Sequence, residues 1–239
     1  MPIYMRDNRL IHHIHIPRCG GTSISNLLES NGWTKLNLPV PQEFETAFEY
    51  GERPKEWKPV YTKHEHKPVW KAWIETPEIN PDFQFAIVRN PYEKFNSALV
   101  ELSKNKNAIK WADRINSDTI YRPPRQWLEK LLLLISAGNH NIEHNLFCPQ
   151  SRFMDVGVHV YKIEIGLEKL IEDLVSKDIV KKESVILHKG KKPVNISIKA
   201  PWHEPTYQPL REIFEKIYEE DFNNLGYIKR HFIGDSDRD

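Results

Sequence analysis

The chain is poor in cysteine and carries almost no net charge, and both shortages exclude classes of protein. Its two cysteines, Cys19 and Cys148, are too few for the disulfide framework of a small secreted domain, and they form no Cys-x-x-Cys zinc motif. The 34 lysines and arginines are balanced by 33 aspartates and glutamates. The overall charge therefore gives no reason to expect a nucleic acid as partner.

Long apolar runs are also missing. The longest, residues 131–135, is far shorter than the roughly 20 residues that a membrane-spanning helix requires. Arginines, an aspartate and histidines interrupt residues 6–15, where a secretory signal would need a continuous apolar stretch. We therefore expect a cytoplasmic protein without a membrane span.

Large apolar side chains are nevertheless plentiful. The chain contains 7 tryptophans, 9 tyrosines and 10 phenylalanines, which a folded protein buries in its core. The length of 239 residues favours one domain, which we place at residues 1–233, followed by a polar, disordered tail at residues 234–239.

The apolar pattern predicts strands that alternate with helices. A nearly continuous apolar run predicts a buried strand at residues 83–88, and short β-like runs that polar residues interrupt predict strands at residues 10–16 and 158–163. Helical spacing follows each of them, and two further helices are predicted at residues 124–137 and from residue 210 to just before Gly226. This alternation predicts an α/β fold, a three-layer sandwich with a mostly parallel central sheet.

The most informative segment is residues 15–23, HIPRCGGTS, which follows the first predicted strand. Gly20 and Gly21 allow the backbone N–H groups to turn around an anion, and Thr22 and Ser23 add hydroxyl donors at a helix N-terminus. Arg18 adds a positive charge. The segment lacks the Gly-Lys-Ser/Thr of a Walker A loop, and the alternative is an ordinary tight turn between a strand and a helix.

A second segment, RNPYEKFNS, follows the strand at residues 83–88. Arg89 stands at the carboxyl end of that strand, where open α/β sheets bind their ligands. Ser97 comes about two helical turns later, on the helix face that is nearest Arg89. The pair suits a phosphate dianion, although an arginine that caps carbonyls and an exposed serine would give the same pattern.

Together, the two segments resemble the sulfotransferases that use 3′-phosphoadenosine 5′-phosphosulfate, in particular the carbohydrate sulfotransferase branch with its HIPKxGGTS and RNPxxRxxS patterns. The resemblance implies a P-loop NTPase-like sulfotransferase fold and transfer of a sulfuryl group to a hydroxyl acceptor, a glycan or another hydroxylated metabolite. It also implies which residues bind the cofactor, with the 5′-phosphosulfate on the first segment and the 3′-phosphate on the second: Arg18, Cys19, Gly20, Gly21, Thr22, Ser23, Arg89 and Ser97.

The first segment departs from the family at Arg18, where the family usually has lysine. The family's lysine is thought to follow the charge onto the leaving phosphate. Arginine keeps the charge and the donors, but its planar group is bulkier and does not give up its proton. We therefore expect the cofactor to bind and the transfer to be slower, or its geometry to be adjusted.

Transfer to a hydroxyl needs a base that accepts a proton near neutral pH, and histidine is suited to that role. In the related branch the base often lies between the two cofactor segments, which points to His64, with His66 as the second choice. The alternative is that both are surface histidines. In the same family a basic, glycine-containing loop often covers the nucleotide, and Lys189 and Lys191 stand at that place here, unless they belong to a solvated loop.

Other functions compete with this interpretation. His13 and His15, or His64 and His66, could suggest a metal, but no spacing enforces three or four ligands, so we expect no metal. A P-loop-like nucleotide kinase or a non-catalytic nucleotide-binding relative remain the alternatives. The sequence indicates neither the acceptor nor the oligomeric state.

Overall fold

The structure is a computed structural model, and it describes residues 3–36, 81–103, 122–138, 146–154, 157–183 and 200–229. The chain forms two compact units. The first comprises Met1–Arg89 and Arg152–Lys192, and the second comprises Asn90–Ser151 and Pro193–Asp239. The chain therefore crosses between the two units three times.

The first unit is built on a five-stranded sheet. Its strands are β1 (Ile3–Arg6), β2 (Arg9–Ile14), β3 (Thr34–Leu36), β4 (Phe83–Val88) and β5 (His159–Lys162), in the spatial order β3-β1-β2-β4-β5. The pairs β2·β4 and β4·β5 are parallel, whereas β1 is antiparallel to both β2 and β3. The sheet is therefore mixed, and the α/β class is confirmed, while the predicted mostly parallel sheet is not.

A two-residue hairpin joins β1 to β2. Asp7 and Asn8 both have positive φ, 50° and 63°, and Arg6 pairs with Arg9 across the turn. Two consecutive residues of positive φ are typical of the type I′ turn, whose twist matches that of the flanking strands. The turn thus adds an antiparallel strand to the edge of the parallel group.

Two helices of the first unit, α1 (Gly21–Ser30) and α4 (Glu168–Ser176), lie on the same face of the sheet. The strand register puts Tyr4 and Tyr161 on that face. The hydroxyl of Tyr4 donates to Oγ of Ser25 in α1 at 2.8 Å, and that of Tyr161 donates to Oδ2 of Asp173 in α4 at 2.6 Å. β4 is buried on both faces, which explains its nearly continuous apolar sequence, and β2 is buried on both faces from Ile11 to Ile14 although two of those residues are histidines.

The second unit is helical in the part that the structure describes. It contains α2 (Pro91–Ser103), α3 (Arg125–Ser136), α5 (Gln208–Ile217) and α6 (Glu219–Asn224), and α3 packs against α5. Aromatic rings dominate its core, where Phe95 contacts Phe147, Trp202, Phe214 and Tyr218 edge-on or tilted. These rings account for much of the aromatic content noted in the sequence.

The predicted elements lie close to the observed ones, with two exceptions. The strands β1 and β3 are not predicted from the sequence. The helix predicted from residue 210 onward is two helices, because Tyr218 leaves the helical conformation between α5 and α6. No helix in the described ranges combines the length and the apolar character needed to cross a membrane.

Candidate functional site

The candidate site lies at one edge of the sheet in the first unit. Because β2, β4 and β5 are parallel, their carboxyl ends meet at the same edge. The HIPRCGGTS segment follows β2, Arg89 follows β4, and the turn Ile163–Ile165 follows β5. Ligands of open α/β sheets bind at this kind of edge. The structure therefore places His15 and Arg89, the first residues of the two predicted segments, directly after adjacent strands.

The loop between β2 and α1 has an unusual backbone at Arg18. Its φ is +68°, a conformation that residues other than glycine, asparagine and aspartate seldom adopt, and Gly20 also has a positive φ of +84°. Cys19 is buried between them, and its thiol donates to the carbonyl oxygen of Pro17 at 3.6 Å. Strained backbone of this kind is concentrated at binding sites. Arg18 itself is half-buried.

Side chains at the two glycines of the loop would be unfavourable for different reasons. A Cβ atom on Gly20 would lie 3.3 Å from Cδ1 of Ile163, in the turn after β5, and its φ is unfavourable for any other residue. A Cβ atom on Gly21 would lie 2.0 Å from Cδ2 and 2.2 Å from Nε2 of His15. A side chain at Gly21 would therefore require the ring of His15 to move, and one at Gly20 would be tight against Ile163 and strained by its positive φ.

The first turn of α1 presents hydroxyl groups to solvent. Gly20 is the N-cap, no side chain caps the helix, and the first turn contains no acidic residue. Thr22 and Ser23 therefore lie inside the first turn and do not cap the helix. Both are exposed. Two exposed hydroxyls beside the positive end of a helix suit a phosphate or sulfate group, so the residues fit the anionic cofactor that the sequence predicts.

Two buried histidines of β2 contribute no charge to this site at neutral pH. Burial lowers the pKa of His12 to about 3, and burial together with the nearby His15 lowers the pKa of His13 well below its usual range. The ring of His13 stacks on Phe85 at 5.0 Å between centroids. His15 lies beyond the end of β2, so it is not the strand residue that the sequence suggested.

Of the remaining predicted residues, two are described and belong to different units, and four lie outside the part of the chain that the structure describes. Arg89 is half-buried at the end of the first unit, and Ser97 is half-buried on α2 of the second unit. His64, His66, Lys189 and Lys191 lie outside the described residues. Within the described ranges, no three side chains of histidine, cysteine, aspartate or glutamate converge as metal ligands would.

A buried polar cluster in the second unit was missed by sequence reasoning. Lys94 on α2 donates from Nζ to the carbonyl oxygens of Leu146 and Cys148, at 2.9 and 2.8 Å. The carboxylate of Asp221 on α6 accepts from the backbone N–H groups of Gln150 and Ser151, at 2.8 and 2.7 Å. These hydrogen bonds tie residues 146–151 to α2 and α6.

The sequence signal for this cluster is weak. Lys94 stands next to Phe95 on the buried side of a helix, and a lysine at such a position needs partners. Its partners, however, come from other parts of the chain and follow no local pattern.

Comparisons with other proteins add no relative. No protein-family model, no curated protein and no solved structure matches the chain. The function is therefore inferred from the two sequence segments and from the geometry of the loop at the sheet edge.

Proposed function

We propose that the protein is a sulfotransferase that moves the sulfuryl group of 3′-phosphoadenosine 5′-phosphosulfate to a hydroxyl group of a carbohydrate or a similar acceptor. The proposal also specifies the type of α/β fold. It is a P-loop-like sulfotransferase domain in which the three parallel strands form the nucleotide-binding part of the sheet. The cofactor supplies the activated sulfuryl group and the leaving phosphate. No metal is invoked, because the loop and Arg18 provide positive charge.

One observation carries the proposal. Arg18 is held at φ +68° in a loop whose two glycines are packed against His15 and Ile163, directly before a helix with exposed first-turn hydroxyls. An ordinary turn between a strand and a helix has no need of an arginine in a strained conformation. A loop that presents N–H groups, hydroxyls and a fixed cation to one anion accounts for all of these features.

The second segment would distinguish nucleotides that carry a 3′-phosphate from those that do not. Arg89 at the carboxyl end of β4 and Ser97 on α2 would bind the 3′-phosphate, and Lys189 and Lys191 would add positive charge to the nucleotide. An arginine offers a planar pair of donors that matches a phosphate group. A nucleotide without the 3′-phosphate would lack the charged contact with these residues and would bind more weakly.

For the transfer itself, His64 is assigned as the base that accepts the proton of the acceptor hydroxyl, with His66 as the alternative. Arg18, Ser23 and the N–H groups of the loop would stabilise the negative charge that develops on the departing phosphate. The expected rate enhancement comes from positioning and electrostatics, as in phosphoryl transfer.

Thermal denaturation with added nucleotides tests the proposal. We expect 3′,5′-adenosine bisphosphate, the product of the transfer, to raise the melting temperature by several degrees, since a ligand at 100 times its Kd adds about 2.7 kcal/mol of stability. ADP at the same concentration should have little effect. Arg18→Ala should abolish the shift, whereas the exposed Arg125→Ala in α3 should preserve it. A shift with ADP alone would instead support a kinase.

A further inference from the structure

Asn31 and Gly32 are the one Asn-Gly pair in the sequence, and they stand at the carboxyl end of α1. The side-chain amide of an asparagine can be attacked by the backbone nitrogen of the residue that follows it. Glycine hinders this attack least, because it has no side chain and few conformational restrictions. The pair is therefore the place in this chain where loss of the asparagine amide, called deamidation, is chemically easiest.

The backbone of this pair forms a Schellman motif. The N–H of Gly32 donates to the carbonyl oxygen of Glu29 at 3.1 Å. The N–H of Trp33 donates to the carbonyl oxygen of Leu28 at 3.1 Å. Gly32 has a φ of +83°, as the residue after a helix C-cap often does. The nitrogen that would attack Asn31 is therefore held in a hydrogen bond of the helix end.

The side chain of Asn31 is also held in place. It is buried, and its Nδ2 donates to the carbonyl oxygen of Leu27 at 2.8 Å. Its Oδ1 accepts from the backbone N–H of Lys181 at 2.8 Å. The backbone carbonyl oxygen of Asn31 accepts from Nη1 of Arg6 at 3.0 Å. Both the amide that would be attacked and the adjoining peptide group are thus fixed by hydrogen bonds.

Arg6 connects the end of α1 to the segment that follows α4. Besides Asn31, its guanidinium donates to the carbonyl oxygens of Asp178 and of Ile179, the latter at 3.2 Å. It also lies 4.7 Å from the centroid of the Trp33 ring, and Nε1 of Trp33 donates to the carbonyl oxygen of Ile179 at 2.7 Å. The Asn-Gly pair can therefore open only when contacts to β1 and to this second segment break as well.

Deamidation requires a geometry that these contacts prevent. The nitrogen of Gly32 forms a bond to Cγ of Asn31, the bond from Cγ to Nδ2 breaks, and ammonia leaves with the proton of the Gly32 N–H. Water then opens the cyclic imide to aspartate or isoaspartate. In the structure the ψ of Asn31 is 16°, so the peptide and the side chain must both rotate before the ring can close.

We propose that Asn31 is a deamidation site that the folded chain protects, and that it reacts only when the end of α1 opens locally. Gly32 is exposed, so water has access to the imide once it has formed. The product replaces the Nδ2 donor by a carboxylate oxygen, which cannot donate to the carbonyl oxygen of Leu27. The deamidated chain is therefore expected to be less stable than the original one. The inference is independent of the proposed function, because it involves no nucleotide.

Peptide mapping by mass spectrometry tests the inference on the wild type alone. The full chain is kept at pH 8 and 37 °C, either folded in buffer or unfolded in guanidinium chloride. We expect Asn31 to deamidate at least about 100-fold more slowly in the folded chain, because opening breaks several hydrogen bonds. Asn8, which is exposed in the β1–β2 turn and is followed by an arginine, serves as the internal control and should react slowly in both states.

A pair of variants identifies the contact that protects the site. Arg6→Met removes the donor to the carbonyl oxygen of Asn31 and should accelerate deamidation of the folded chain by about tenfold. Arg9→Met is the matched control, because Arg9 belongs to the same hairpin and donates to the carbonyl oxygen of Lys177 instead. Its rate should stay close to that of the wild type.

Several results would overturn the inference. Equal rates at Asn31 in the folded and the unfolded wild type would show that the fold gives no protection. A slower reaction at Asn31 than at Asn8 in the unfolded chain would show that Asn31 is not a preferred site. Equal rates for Arg6→Met and Arg9→Met would contradict the protection assigned to Arg6. None of these results would affect the proposed function.

Discussion

The imidazole of His15 occupies the space in which any side chain on Gly21 would begin. Because the Cβ position of Gly21 lies 2.0 Å from Cδ2 of His15, the two residues constrain each other. This contact sets how closely the end of β2 approaches the start of α1, and it therefore shapes the loop that we assign to anion binding.

The first prediction concerns this pair. Gly21→Ala alone should destabilise the protein by about 1–3 kcal/mol, because the added methyl group overpacks against the ring. In a His15→Ala background the same substitution should cost much less. Urea denaturation of the two single variants and the double variant measures the coupling between the sites. Simple additivity of the two changes would contradict the contact.

The second prediction separates strain from charge at Arg18. Arg18→Gly should leave stability unchanged or raise it by about 1 kcal/mol, because glycine adopts the observed positive φ without the cost that other residues have. Arg18→Ala should keep the strained backbone and gain no stability. Both variants should lose affinity for 3′,5′-adenosine bisphosphate, as measured by calorimetry. A fully active Arg18→Gly would show that the arginine is not needed.

The third prediction concerns acid stability. His12 and His13 are buried and neutral in the folded protein, with the pKa of His12 lowered to about 3 by burial. The unfolded chain binds protons at these residues below about pH 6.5, and the folded protein does not until far lower pH. Stability should therefore be complete above pH 6.5 and should fall as the pH decreases from there, by up to about 1.4 kcal/mol per pH unit for each histidine.

Denaturation by urea across this range measures the effect. His12→Gln should reduce the slope of stability against pH, whereas the exposed His203→Gln should leave the slope unchanged. Equal slopes for the wild type and His12→Gln would show that His12 is not the source of the acid sensitivity.

The fourth prediction concerns the buried cluster of the second unit. Lys94→Met removes the donor to the carbonyl oxygens of Leu146 and Cys148 and a positive charge near Asp221, so it should cost about 1–3 kcal/mol. The exposed Lys130→Met in α3 is a matched control that should change stability by less than about 0.5 kcal/mol. Thermal denaturation compares the two variants, and similar melting temperatures would contradict the assigned role.

Much of the fold can be predicted from the sequence because its apolar pattern is local. The strand predicted at residues 83–88 agrees with β4. Gly138, which follows the C-cap of α3, has a φ of +89°, the conformation that is favoured just after a helix C-terminus. The strands β1 and β3 could not be predicted in the same way. They are short, and hydrogen bonds of the backbone to their neighbours, more than an apolar pattern, define them. The Asp7-Asn8 turn is the one local signal for the hairpin.

The geometry of the loop in the candidate site could not be predicted from the sequence. The glycines and Arg18 are visible in the sequence, but the positive φ of Arg18 and the contact between His15 and Gly21 depend on how β2 and α1 pack. The partners of Lys94 come from distant segments that no local spacing connects. Non-local contacts of this kind appear only when the chain is folded.

Isothermal titration with 3′,5′-adenosine bisphosphate and with adenosine 5′-phosphate tests the central claim most directly, because the two ligands differ only in the 3′-phosphate. We expect the bisphosphate to bind at one site per chain and adenosine 5′-phosphate to bind at least about tenfold more weakly, since one lost charged hydrogen bond costs about 1.5–3 kcal/mol. Equal affinities, or no binding of the bisphosphate, would contradict the assignment of the protein as a sulfotransferase.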